Sequence, residues 1–134
     1  MAISQHYASE SPGGSEEELS TVLRAGLQSQ MGLDADEIEA NVLNESGADE
    51  FHAGAAKATA HVLAKLDVRP GDRILDLGCG IGGPARQAAL AYPQCASVVG
   101  IDITPKFVSA GCKINQWKTI SKQLAGRVEL HEGD

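Results

Sequence analysis

Residues 73–90 read RILDLGCGIGGPARQAAL, with Gly78, Gly80, Gly82 and Gly83 falling inside six positions. An apolar run precedes them and an alanine-rich amphipathic stretch follows. Few folds can use such a segment. Glycines this dense let the backbone turn sharply out of a strand and strip away the Cβ atoms that would keep a ligand off the main chain. The helix starting near Pro84 then aims its free amides and the positive end of its dipole at the same spot, which favours a carboxylate or a phosphate. The loop fits two nucleotide patterns at once: G-x-G-x-G through Gly78, Gly80 and Gly82, and G-x-G-x-x-G through Gly78, Gly80 and Gly83.

The surrounding chain repeats one unit. Pro70-Gly71 breaks an alanine-rich helix expected over 51–66, whose stripe is Phe51, Ala55, Ala58, Val62, Leu63 and Leu66. RILDL reads as a buried strand, and the helix from Pro84 runs until Pro93. ASVVGID (96–102) is the next strand, PKFVSAGCKINQWKTIS (105–121) the next helix and RVELHEGD (127–134) a third strand running into a turn. Strands alternating with helices imply parallel pairing, hence an α/β, Rossmann-like, doubly wound sheet of about three strands.

Ahead of it, residues 1–15 are polar, with Pro12-Gly13-Gly14 as a linker signature, and are expected to be flexible. Ser15 and Glu18 form a capping-box pattern for a helix over about 16–30, and Asp34 caps a second that stops at Gly47. Residues 16–48 therefore read as a helical lid segment, and 49–134 as the nucleotide-binding unit.

Charge and cysteine usage narrow the partners. Eighteen acidic against eleven basic residues give a net charge of −7 with no basic cluster, which argues against nucleic acid. No run is long enough to span a membrane and the start has no leader pattern, so a cytoplasmic location is expected. Cys79, Cys95 and Cys112 are odd in number and widely spaced, and the four histidines lack ligand spacing, so neither a disulfide framework nor a metal is expected.

Two acids separate the loop's two readings. Asp76 lies inside the strand, two residues before Gly78, where a carboxylate would repel a pyrophosphate but suit a ligand carrying an ammonium group. Asp102 ends the next strand, where an acid accepts from ribose hydroxyls in either reading. His52, His6, Tyr7 and Trp117 are weaker candidates, more simply read as cap, tail or packing residues.

With these residues in hand, ILDLGCGIGGPAR, VVGIDIT and RVELHEGD resemble the first half of the class I S-adenosylmethionine-dependent methyltransferases. More narrowly, GCGIGGPAR and GIDITPKFVSAG are similar to the branch that includes sterol, tocopherol and phosphoethanolamine methyltransferases, and DEFHAG (49–54) is similar to its lid region. The resemblance implies that Gly78, Cys79, Gly80 and Gly82 contact the methionine end of S-adenosylmethionine, with Asp76 near its ammonium. It further implies that Asp102 holds the ribose, Ile103 packs on the adenine and Asp134 accepts from the adenine amine. The methyl acceptor would be a small molecule.

That family's sheet has seven strands in the order 3-2-1-4-5-7-6, and its acceptor residues come mostly from later loops. Three strands then imply a fragment truncated after the third, with the first left as an apolar edge. The competing readings are an NAD(P)-binding oxidoreductase module and a non-catalytic cofactor-binding fragment.

Overall fold

In a computed structural model of the chain, residues 49, 50 and 53–134 are described continuously enough to trace, together with the isolated helical positions Thr21, Arg24, Ala25 and Glu37. Apart from those four positions, the expected lid helices over 16–30 and 34–47 lie outside the described residues, as do the candidates His6, Tyr7 and His52. The described elements are α1 (Ala55–Leu63), β1 (Arg73–Leu77), α2 (Gly83–Ala91), β2 (Ser97–Asp102), α3 (Pro105–Asn115), α4 (Lys118–Leu124) and β3 (Val128–Glu132).

The three strands are parallel in the order β1-β2-β3, with Leu77 opposite Ile101 and Asp102 opposite Glu132. All three therefore end at one edge, where the loops that follow them meet. The alternation of each strand sorts its side chains onto two faces. Val98 and Leu130 are buried with Gly100 beneath α2 and α3, together with Ala85, Ala88, Ala89, Ala110 and Ile114 from those helices. Alanines on α2 let it lie close to the sheet, and a side chain as large as Arg86 is still accommodated. On the opposite face Leu75 and Leu77 are exposed, and Val99 and Ile101 are half-buried.

Two helices differ from the expectation. The stretch 105–121 is not one helix: it breaks at Gln116-Trp117, where both amides form tight i→i+3 bonds and Trp117 turns to ψ 140°. The break lets α4 swing so that Ile120 and Leu124 enter the core while Trp117 packs at its margin under Arg24, whose guanidinium carbon lies 4.4 Å from the ring centroid. The helix expected over 51–66 starts at Ala55, after left-handed Gly54, and its regular part stops at Leu63. Its end tightens into 3₁₀-like bonds from Lys65 to Val62 and from Leu66 to Leu63. Tyr92 closes that end by donating its hydroxyl to the Leu63 carbonyl. Tyr92 is also where α2 stops, one residue before Pro93, as the restriction on residues preceding proline requires.

Candidate functional site

The glycine loop leaves β1 at the carboxyl edge of the sheet and is tied down at once. The amides of Gly78 and Cys79 both donate to the Ile101 carbonyl, at 2.8 and 3.1 Å, and Gly82 donates to Cys79 at 2.9 Å. Gly78, Gly80 and Gly82 all have φ in the left-handed region, at 78°, 56° and 88°. An L side chain at any of them is strained.

Their surroundings divide the glycines into two pairs. A Cβ added at Gly78 or Gly80 would meet nothing within 4 Å, so these two present bare backbone to open space. A Cβ at Gly82 would lie 2.7 Å from Leu130 Cδ1, and one at Gly83 would lie 2.6 Å from the Asp49 carbonyl oxygen. Gly82 and Gly83 are thus packing glycines, and the spacing ambiguity dissolves into two jobs. The third glycine of either pattern faces inward.

Beneath the loop the packing is dense. Ile81 and Cys79 are buried, the latter with Gly100 below it, where a Cβ would come within 2.8 Å of the Cys79 sulfur. From α3, Gly111 brings its backbone against the loop, since a Cβ there would lie 2.5 Å from the Ile81 carbonyl oxygen. That same oxygen accepts from Arg86 Nη2 at 2.6 Å. Arg86 is fully buried and also donates from Nε to Asp49 Oδ2 (3.0 Å) and from Nη1 to Asn115 Oδ1 (2.7 Å). Beside it, Glu50 accepts from Thr59 of α1 and from Gln87 of α2 (2.5 Å).

Around the open side stand the acids. Asp102 is half-buried, and its carboxylate accepts from the amide of Gly80 through Oδ2 and from that of Thr104 through Oδ1, both at 2.8 Å. An ionised carboxylate has about four acceptor sites, so these bonds leave capacity for a ligand's hydroxyls. Asp76, opposite Gly100 on the helix-covered face, is half-buried and near enough to Cys79 for its charge to act on the thiol. Burial first, then the Asp76 charge and the Asp102 charge, push the Cys79 thiol up from 9.0 to about 12. Its thiol is therefore neutral at ordinary pH and is no nucleophile. Cys79 as a whole is buried, and its amide and carbonyl are already bonded to the Ile101 carbonyl and the Gly82 amide.

Ile103 follows Asp102 with 53% of its surface exposed, a free apolar face at the mouth of the loop. Asp134 is exposed and sits past the end of β3, in a segment anchored by Gly133, whose amide donates to the Asp102 carbonyl at 3.1 Å. The edge thus brings together open glycine backbone, an acid below it, an acid and an apolar side chain beside it, and a third acid on the next strand end. Trp117 is not part of it. The missed residues are Arg86, Asp49, Asn115 and Gly111. The only signal in the sequence was an arginine on the otherwise apolar side of an alanine-rich helix.

The donor set suits some ligands and disfavours others. Clustered carboxylates attract ammonium and hydroxyl donors and repel a pyrophosphate, while the open backbone of Gly78 and Gly80 admits a close-lying chain. A nucleoside carrying an amino-acid moiety matches that set better than a dinucleotide does. Among the described residues no helix is long and apolar enough to cross a membrane.

Residues 43–123, more than half of the chain, match the family model described as mycolic acid cyclopropane synthetase. Phosphoethanolamine N-methyltransferase 1 of Zea mays is 39% identical over 66 residues, which cover 45% of this chain and 13% of that protein. Cycloartenol-C-24-methyltransferase 1 of Oryza sativa subsp. japonica is also 39% identical over 66 residues, covering 48% of this chain and 19% of that protein. The chain thus matches less than a fifth of the length of either relative. In fold it is similar to the Haemonchus contortus phosphoethanolamine N-methyltransferase 2 solved in complex with S-adenosyl-L-methionine. That match has a TM-score of 0.54 at 23% identity over 84% of this chain and 24% of the other.

Proposed function

On the premise that the chain belongs to the mycolic acid cyclopropane synthetase family, within the class I S-adenosylmethionine-dependent methyltransferases, we propose that it serves methyl transfer to a small molecule and holds its cofactor at the GCGIGG loop. The observation that carries this reading is the pairing of open backbone at Gly78 and Gly80 with the Asp102 carboxylate, already bonded to the Gly80 amide. The relatives' names support the acceptor class, since they specify phosphoethanolamine and cycloartenol as the groups methylated.

In this reading the cofactor supplies an activated methyl group on a sulfonium, and the protein's work is placement and exclusion of water. The backbone of Gly78, Cys79 and Gly80 takes the methionine end, and Asp76 sets a negative charge near its ammonium. Gly82 supports the loop from inside. Asp102 keeps Gly80 in register with β2 and offers its remaining lone pairs to the ribose hydroxyls. Ile103 gives the adenine an apolar surface, and Asp134 accepts from its amine.

Calorimetry with S-adenosylhomocysteine and with NADH on the wild-type chain tests the reading. S-adenosylhomocysteine is expected to bind the more tightly, and tighter NADH binding overturns the assignment. Asp102→Ala, checked for folding by circular dichroism, is expected to weaken S-adenosylhomocysteine about tenfold to a hundredfold, equivalent to about 1.5 to 3 kcal/mol for bonds to a charged group. Unchanged affinity removes Asp102 from the site.

A further inference from the structure

Arg86 touches three separate parts of the molecule with one planar group. Its Nη2 holds the carbonyl of Ile81 in the glycine loop, its Nη1 holds Asn115 at the end of α3, and Nε and Nη2 together clasp Asp49 Oδ2 at 3.0 and 2.9 Å. Both members of the Asp49–Arg86 pair have side chains 1% exposed. A rigid fork of donors fixes the relative placement of everything it binds.

Backbone packing reinforces the tie from the other side. The Asp49 carbonyl lies so close to Gly83 that no Cβ fits between them, and Glu50 is gripped by Thr59 of α1 and Gln87 of α2. The stretch at 49–50, which leads into α1, is therefore seated on the inner half of the loop. We propose that Arg86 is a positioning residue that sets the height of the loop through Ile81 and couples the Asp49–Glu50 stretch to cofactor binding. The proposal rests on the loop's reading as the cofactor site. Holding the Ile81 carbonyl inward against Gly111 keeps the Gly80–Ile81 turn raised, so that Gly80 stays bonded to Asp102 and its outer side stays open. Ligand contact at Gly78 and Gly80 then stiffens a unit that includes Asp49, which lies on the far side of Arg86.

Amide hydrogen exchange on the wild-type chain, with and without S-adenosylhomocysteine, reads the coupling directly. Slower exchange is expected on binding both at 78–83 and at 49–50 and 53–54. Protection confined to 78–83 overturns the coupling. Arg86→Lys keeps a positive charge for Asp49 but cannot reach Asp49, Ile81 and Asn115 together. It is expected to retain a cooperative thermal transition while raising the Kd for S-adenosylhomocysteine about tenfold, the size of one lost bond to a charged group. A lowered melting temperature with unchanged Kd would mean that Arg86 only stabilises the fold. If the wild type fails to bind S-adenosylhomocysteine, the cofactor reading falls and the coupling to cofactor falls with it, and the ligand-free arm still decides whether Arg86 ties the loop to the Asp49–Glu50 stretch. Arg86→Lys should then speed exchange at 49–50 and at 78–83 together, and acceleration at one segment alone overturns that tie.

Discussion

Gly78 and Gly80 differ from Gly82, Gly83 and Gly111 in what lies where a side chain would be. The first two look onto open space, while the other three press against Leu130, the Asp49 carbonyl and the Ile81 carbonyl. Glycine is needed in both sets, two in the outer loop and three in the inner loop and α3, but for opposite reasons. The outer pair leaves bare backbone on the open side of the loop, the surface that the proposed cofactor would meet. The inner three give up side chains so that the protein can close on itself.

Substitutions test that division by splitting stability from affinity. Gly111→Val drives a branched side chain into the buried Leu130 and into the Ile81 carbonyl, a backbone atom that cannot yield without moving the loop. It is expected to cost about 3 kcal/mol, the upper end of the overpacking range, read as a lower urea midpoint. Gly82→Ala combines left-handed strain with contact on Leu130 and is expected to cost about 2 kcal/mol. Gly80→Ala meets no neighbour, so it should cost only about 1 kcal/mol of stability, from φ alone, yet lose S-adenosylhomocysteine affinity beyond what Gly82→Ala loses. Equal affinity losses in the two variants would erase the distinction between the sets.

A separate, pH-linked test of the loop's underside comes from Cys79. Its pKa rises from 9.0 to about 12 on folding, so the folded chain keeps a proton that the unfolded chain releases. The associated stability is fully present below pH 9.0 and is lost as pH climbs from there toward about 12. Urea midpoints at pH 8 and pH 10.5 should therefore fall further for wild type than for Cys79→Ala. A parallel fall in both removes the thiol from the account.

Much of this architecture was legible in the residue pattern. The stretches RILDL, ASVVGID and RVELHEGD, bounded by turn chemistry, located β1, β2 and β3 to within two residues, and their alternation with helices implied the parallel order. The break at Gln116-Trp117 was not legible, because Ile114, Trp117 and Ile120 keep helical spacing across it and only tertiary packing rewards the bend. The site was half legible. Asp76, Asp102 and the loop were exposed by local spacing, since strand ends in a parallel sheet gather at one edge. Asp49 and Arg86 are 37 positions apart, and nothing local ties a buried carboxylate to a guanidinium at that distance. Nor does glycine spacing say which way each Cα faces, since that depends on φ and on what α3 brings beneath.

The face of the sheet away from α2 and α3 sets conditions on any bench work with this chain. Leu75 and Leu77 are 57% and 73% exposed, beside Val99 and Ile101, on a strand whose outer backbone edge pairs with none of the described strands. A solvatochromic dye should light up on that oily band even in fully native protein, so dye-based melting curves would begin from a high baseline. Light scattering across a dilution series is the sounder first measurement.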